Sequence, residues 1–233
     1  MPEVQYAPDP RPVPNLSILS RRLGCDCPFS AELLAGLIHY WKLEEASGNI
    51  RLDSVGTDNL SEQIGTVGQT AGKHGNAANW VPSTGFLSNG LFSLLFSPLS
   101  CALWINVDNL PASNANILAL NGDDPDPQVR ITNTGNLILF NGATGDIVTM
   151  SAGTLDAWHL VVITVLGTAW KMSIDGGIFN SGTGNNLSAV HGITFGEPTT
   201  LDAAIDELAI WNRVLTQQEV TSLWNSGNGR FLI

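Results

Sequence analysis

Two pairs of adjacent acidic residues, Glu44-Glu45 and Asp206-Glu207, come nearest to a hydrolytic site in this chain. Cleavage of a glycosidic bond uses two carboxyl groups that flank the bond, about 5–5.5 Å apart in enzymes that retain configuration. Two carboxyl groups of one strand reach that separation only from the same face, whereas adjacent strand residues point to opposite faces. We therefore expect no catalytic pair and a non-enzymatic protein, with a glycoside hydrolase as the remote alternative.

The other residue types with catalytic or metal-binding chemistry are scattered. The four histidines form no H-E-x-x-H motif and no i,i+4 pair, which disfavours a catalytic zinc site. Ser173–Gly177 begins like the S-x-D-x-G box of sialidases, but Phe179 and Asn180 break its ending, so we interpret the segment as an Asp-Gly hairpin turn. Three cysteines, of which Cys25 and Cys27 are separated by one residue, are expected to be free thiols.

The charge of the chain excludes two classes of partner. Ten Lys and Arg against 21 Asp and Glu give a formal net charge of −11. Nucleic-acid binding depends on cations that neutralise phosphates, and anionic membrane surfaces attract basic segments. We expect no nucleic-acid partner and no membrane insertion. Because no basic start is followed by an apolar run, we also expect synthesis in the cytoplasm without a signal peptide.

Residues 1–29 differ from the rest of the chain because prolines crowd them without a strand or helix period. Proline fixes φ and removes a backbone donor, so the segment predicts an extended arm without a core of its own. Such an arm becomes ordered by lying on its own domain or on another chain, and we expect another chain of an assembly. The residues assigned to this assembly arm are Pro8, Pro10, Pro12, Pro14, Arg21 and Arg22.

From residue 30 onward, prolines are sparser, and short alternating segments and turn dipeptides follow one another. Leu37–Leu43 alternates as a strand does. Further predicted strands follow, separated by Asn-Gly and Asp-Gly turns, among them Leu91–Phe96, Trp158–Val165 and Ala169–Ile174. This spacing indicates a β sandwich or barrel. One C-terminal helix is indicated, because Thr216 and Glu219 form the sequence of a capping box. Leu215 and Val220 are placed as the hydrophobic staple around it.

Five segments between residues 37 and 229 carry a family resemblance. They are Leu37–Leu43 with its following loop, Gly72–Ala77 (GKHGNA), Leu99–Val107 around Trp104, Asp156–Val162 with Lys171–Gly176, and Ala204–Glu219 (AIDELAIWNRVLTQQE). In this order they resemble the laminin-G-like jelly-roll domain of the concanavalin A-like lectin and glucanase superfamily. The resemblance implies an all-β, two-sheet antiparallel jelly-roll sandwich over residues 30–233, with one short C-terminal helix and an extended N-terminal arm. Glycosidases of this superfamily carry E-x-D-x-x-E, whose outer glutamates are missing around Asp206.

The resemblance also implies where ligands would bind. Related jelly rolls often hold a structural calcium ion between the first loop and the closing strand, and the matching acids here are Glu45, Asp53 and Asp206. The alternative is that Asp53 begins a turn and Asp206 caps the strand through hydrogen bonds, without a metal. Four of the seven tryptophans fall on core positions of the family, whereas Trp80 and Trp170 are the candidates for stacking on a sugar ring.

Together these features predict a non-enzymatic structural or surface-display protein of a large assembly, such as a phage virion decoration or tail-associated protein. Residues 1–29 would attach it to other protein chains, and residues 30–233 would present a glycan-binding-like jelly roll at the particle surface. The alternative is a free-standing carbohydrate-binding or adhesion module, because this fold hosts many functions.

Overall fold

Alternating apolar and polar residues form two antiparallel sheets in the computed structural model, which describes residues 31–82, 85–89, 98–122, 127–187, 190–197 and 200–233. The assembly arm and the strand predicted at Leu91–Phe96 lie outside the described residues. The boundary between the predicted arm and the predicted domain is therefore still a prediction.

The described part of the chain contains fifteen strands and two short α-helices. In chain order these are α1 (Ala31–Leu34), β1 (Leu37–Trp41), β2 (Ser61–Gln63), β3 (Gly68–Ala71), β4 (Asn76–Trp80), β5 (Phe86–Asn89), β6 (Leu99–Asn109), β7 (Ala115–Gly122), β8 (Pro127–Ile131), β9 (Asn136–Asn141), β10 (Gly145–Ser151), β11 (Trp158–Leu166), β12 (Ala169–Ile174), β13 (Asn180–Thr183), β14 (Val190–Phe195), β15 (Asp202–Trp211) and α2 (Gln217–Trp224). A 3-10 turn at Asn225–Gly227 follows α2.

The strands form an eight-stranded sheet and a seven-stranded sheet. The larger sheet has the order β13-β12-β11-β6-β15-β4-β3, with β1 also paired to β15, and the smaller one has the order β10-β9-β8-β7-β14-β5-β2. The main hydrophobic core fills the space between them. A second apolar cluster covers the outer face of the eight-stranded sheet, where α1, α2 and the C-terminal residues pack. These observations confirm the predicted sandwich.

Five short strands were not predicted from the sequence, namely β2, β3, β4, β5 and β13. Three of them lack an apolar alternation altogether. β2 (SEQ), β3 (GQTA) and β13 (NSGT) contain no large apolar residue, and each lies at an edge of its sheet. Edge strands need only one neighbour and bury little side-chain surface, so a hydrophobic pattern does not mark them. No helix in the described ranges is long and apolar enough to cross a membrane.

The predicted C-terminal helix and its capping box are confirmed. The Thr216 hydroxyl accepts a hydrogen bond from the Glu219 backbone N–H at 3.3 Å, and the Glu219 carboxylate accepts one from the Thr216 backbone N–H at 2.8 Å. The staple residues Leu215 and Val220 are both buried. The helix ends at Trp224, and Asn225, with a φ of 48°, supplies the left-handed cap before Gly227.

Removal of the capping hydroxyl tests this helix. Thr216→Ala leaves the Glu219 backbone N–H without its acceptor, so we expect the free energy of unfolding to fall by about 1 kcal/mol. Urea unfolding measures the change. Ser222→Ala, in the same helix, is the matched control, and an equal loss in both variants would show that the cap contributes nothing.

Candidate functional site

The closing strand β15 departs from regular alternation at Asp206 and Glu207. Its pairing with β6 shifts register between Asp206 and Ala209, and Glu207 adopts a φ of 53°. Asp206 lies directly opposite Trp104, while the Glu207 carboxylate accepts a hydrogen bond from the Tyr40 hydroxyl. Trp104 and Tyr40 both belong to the apolar cluster on the outer face of the sheet. The expectation that the two carboxyl groups point to opposite faces is therefore wrong, because a β-bulge breaks the period of two.

Both carboxyl groups are enclosed within the protein. Asp206 is 0% and Glu207 5% exposed. Asp206 accepts hydrogen bonds from the backbone N–H groups of His74, at 3.0 Å, and of Glu207, at 2.9 Å. Burial raises the pKa of Asp206 to about 7 and the pKa of Glu207 to about 8. The two carboxyl groups thus lie on the same face of the sheet, as those of a glycosidase would. Both are buried, however, whereas the carboxyl pair of a glycosidase must be open to a polysaccharide chain.

The C-terminal residues lie close to this pair. The Lys73 ammonium donates to the Gly227 carbonyl and lies 4.6 Å from the centre of the Trp104 ring. The His74 ring contacts the Phe231 ring, with 4.0 Å between centroids. These contacts attach the β3–β4 turn, which supplies the N–H donor to Asp206, to the end of the chain. The arrangement indicates a structural role for the acid pair.

The three candidate calcium ligands do not meet in one site. Within the described residues, no three His, Cys, Asp or Glu side chains lie close enough together to hold a metal ion. The Asp53 carboxylate accepts from four backbone N–H groups and contacts His39 Nδ1 at 2.6 Å. Glu45 accepts from the Leu52 backbone N–H, and its second oxygen is buried without a partner.

Calcium needs oxygen atoms whose lone pairs face the cation. At Asp53 and Asp206 those lone pairs face N–H donors instead, as the hydrogen-bonding alternative predicts. The three residues therefore do not fit a common calcium site. Calcium binding by the chain stays a prediction.

Neither Trp80 nor Trp170 can stack on a sugar. Both rings are 0% exposed and belong to the core between the sheets. Trp80 packs against Gly196, and the Trp170 indole N–H donates to the Asn185 carbonyl at 3.1 Å. The prediction was wrong because each tryptophan occupies an inward-facing position of its strand, where a large ring removes the most apolar surface from water.

The seven-stranded sheet presents a second face, which points away from the core and which we call the open face. No described helix packs on it, since α1 and α2 belong to the cluster on the other sheet. Except for Ala119 and Ile138, its side chains are exposed or half-buried. The pairing registers align Ser61, Ser88, Thr194, Ala119, Gln128, Phe140 and Asp146 in one row and Asn116, Arg130, Ile138 and Thr149 in the next.

Arg130 and Phe140 form the centre of the open face. The guanidinium carbon of Arg130 lies 3.5 Å from the centre of the Phe140 ring. Arg130 Nε donates to the side-chain oxygens of Gln128, at 2.8 Å, and of Asn116, at 3.0 Å. No described residue accepts a hydrogen bond from the two outer nitrogens of Arg130. As far as residues 31–233 are described, the side chain is therefore fixed in place while most of its donors remain available to a ligand.

Acidic side chains border this centre. Glu197 accepts from the Asn116 backbone N–H at 2.8 Å. Partial burial lowers the pKa of Arg130, while the negative charges of Asp146 and Glu197 raise it. These residues were not predicted as site residues from the sequence. The signal that could have found them is the alternation of apolar Val129 with Gln128 and Arg130, which places the two polar side chains on one face.

Two open grooves lie elsewhere on the described surface. One, of 620 Å³, lies along the loop Glu45–Leu52. The other, of 680 Å³, lies beside α2, where Trp224 stacks on Trp104 at 5.3 Å between centroids. In the second groove the Gln217 amide already donates to backbone carbonyls. Besides Trp224, the second groove is lined by polar residues: Gln217, Gln218, Thr221, Ser222, Asn225, Ser226 and Arg230.

Comparisons with known proteins agree with this fold. A family model for the concanavalin A-like lectin/glucanases superfamily, of the laminin G type, matches residues 83–221. No curated protein sequence matches the chain significantly.

Solved structures of similar shape include a sialidase and a toxin domain. Trypanosoma rangeli sialidase in complex with sialic acid has a TM-score of 0.65 at 16% identity, over 83% of this chain and 33% of that one. The binding domain of botulinum neurotoxin serotype G has a TM-score of 0.63 at 15% identity, over 82% of this chain and 51% of that one. The chain thus spans about a third of the sialidase and about half of the toxin domain, and at these identities the likeness concerns the fold alone.

The buried acid pair predicts a pH-dependent stability. The folded protein keeps Asp206 and Glu207 protonated up to about pH 7 and 8, whereas the unfolded chain releases both protons near pH 4. Stability conferred by these groups is complete below pH 4 and is lost as the pH rises through 7 and 8. Urea unfolding at pH 5 and pH 8 should show that D206N/E207Q loses less stability than the natural chain over this interval. Equal losses would contradict the raised pKa values.

Proposed function

The chain belongs to the concanavalin A-like lectin/glucanases superfamily, and from that membership we propose that it is a non-enzymatic carbohydrate-binding protein. The observation that carries the proposal is the Arg130–Phe140 pair on the open face. Sugar rings have apolar C–H faces and a rim of hydroxyl groups. A site for them therefore combines an aromatic surface with donors and acceptors held in fixed positions.

The open face supplies each of these parts. Phe140 offers a half-buried aromatic ring, one face of which carries the Arg130 guanidinium at 3.5 Å, and Arg130 offers oriented N–H donors. Gln128 and Asn116 hold the Arg130 side chain through their oxygens, so a ligand would not have to order it on binding. Fixing a flexible side chain in advance lowers the entropic cost of binding.

The absence of enzymatic activity is part of this proposal. The acid pair that most resembles a hydrolytic site is Asp206-Glu207, and its enclosure supports a structural role. Glu197, one of the two carboxylates that border the open face, already accepts a hydrogen bond from the Asn116 backbone N–H. The activity named for the sialidase belongs to a protein of which this chain matches a third.

The role in an assembly is the finer part of the proposal. Residues 1–29, rich in proline, would attach the protein to other chains of a particle such as a phage virion, as a decoration or tail-associated protein. The sandwich would then present its open face at the particle surface. A free-standing binding module would carry the same face without the attachment.

Carbohydrate binding is tested on a glycan array with the full chain and with two variants of the open face. Arg130→Ala removes the oriented donors, and Phe140→Ala removes the ring. We expect each to weaken binding by roughly tenfold or more, because Arg130→Ala loses a charged hydrogen bond and Phe140→Ala loses the ring on which Arg130 packs.

Lys171→Ala is the matched control, because it removes one positive charge from an exposed position of the other sheet. It should bind as the natural chain does. The proposal fails if the natural chain binds no glycan, or if Arg130→Ala and Phe140→Ala bind as well as Lys171→Ala.

The attachment role is tested by deletion of residues 1–29. We expect the shortened chain to fold and to bind glycans but to be missing from purified particles, because the attaching segment is gone. Quantitative gels of particles made with either chain measure the copies per particle. Incorporation of the shortened chain at normal copy number would contradict attachment through residues 1–29 and favour the free-standing module.

A further inference from the structure

The charges around Arg130 bear on which class of glycan the open face accepts, an inference that rests on the function proposed above. Arg130 alone would suit a carboxylated sugar, because a guanidinium pairs with a carboxylate through two parallel hydrogen bonds. Its surroundings decide whether that pairing is favourable.

Two carboxylates lie near the positive charge of Arg130 and would compete with a ligand carboxylate for it. Asp146 is exposed and lies in the same row as Phe140, directly opposite it on the neighbouring strand. Glu197 is held beside Asn116, whose side-chain oxygen accepts from Arg130. Both are close enough to affect the ionisation of Arg130. One positive charge thus stands between two negative charges, and a ligand carboxylate on Arg130 would be repelled by both.

The same groups suit a neutral ligand. A sugar hydroxyl both donates and accepts, so it can accept from the outer nitrogens of Arg130 and donate to Asp146 or Glu197. The two rows of the open face offer further hydroxyl and amide groups, with Thr149 exposed and Ser88 half-buried. Such a mixture of donors and acceptors matches an uncharged ring with several hydroxyl groups.

The charge of the whole chain acts in the same direction. A formal net charge of −11 repels an anionic oligosaccharide before contact, most strongly at low ionic strength. A neutral oligosaccharide experiences no such repulsion. The charges next to Arg130 and the net charge of the chain therefore both favour a neutral ligand.

We infer that the open face selects neutral, hydroxyl-rich glycans through Arg130 and Phe140, and that Asp146 and Glu197 exclude carboxylated ones. Asp146 and Glu197 are thus the specificity-determining residues of the site. Removal of their charges should admit a carboxylated sugar without creating a new contact.

The experiment compares a neutral oligosaccharide with the same oligosaccharide carrying one terminal sialic acid, by calorimetry at low and at moderate salt. The neutral sugar is chosen from those that the natural chain binds on the array. We expect it to bind at least tenfold more tightly than its sialylated form. The affinity of the sialylated form should rise with salt, because screening weakens the repulsion, whereas that of the neutral form should stay constant.

The double variant D146N/E197Q tests the two carboxylates directly. We expect it to bind the sialylated sugar several-fold more tightly than the natural chain does. Asp58→Asn, which removes one negative charge from the loop after β1, is the control and should leave the preference for neutral sugar unchanged.

Equal or tighter binding of the sialylated sugar by the natural chain would overturn this inference while leaving carbohydrate binding in place. An unchanged preference in D146N/E197Q would also overturn it. If neither sugar nor any array glycan binds, the proposed function itself fails, and the inference fails with it.

Discussion

The arrangement of the eight-stranded sheet depends on one irregular point in its closing strand β15, the bulge at Asp206 and Glu207. β15 pairs with β6 along one edge, but along the other it pairs first with β4, through residues 203–205, and then with β1, through residues 208–211. The bulge lies where the partner changes. It places both carboxyl groups on the outer face, where Tyr40 and the backbone of the β3–β4 turn bind them. These contacts connect the first strand, the turn and the closing strand.

The buried acid pair and the proposed binding residues therefore lie on different sheets. The residues that look most reactive in the sequence, the two adjacent acids, are used to join strands under a cover of apolar side chains. The other sheet has no such cover among the described residues, and its outward positions are free to carry polar groups. Arg130 and Phe140 meet there because they lie diagonally across two paired strands, one row apart.

Local sequence patterns predicted the elements that depend on local physics. The capping box at Thr216 and Glu219 is a contact within one helical turn, and the alternation at the start of Ala169–Ile174 reflects burial of one face. The bulge could not be predicted, because a change of pairing partner depends on strands distant in sequence. Trp80 and Trp170 were misplaced for the same reason: whether a tryptophan faces the core depends on the register of its strand.

The central claim is that the open face is where a glycan binds, and mapping of the bound ligand tests it most directly. We would titrate isotope-labelled protein with a neutral oligosaccharide and follow the backbone amide signals and the Arg130 Nε–H signal by NMR. The account predicts that the largest changes fall on β7, β8 and β9, together with Arg130. Changes confined to the Glu45–Leu52 loop or to the groove beside α2, with none on the open face, would contradict it.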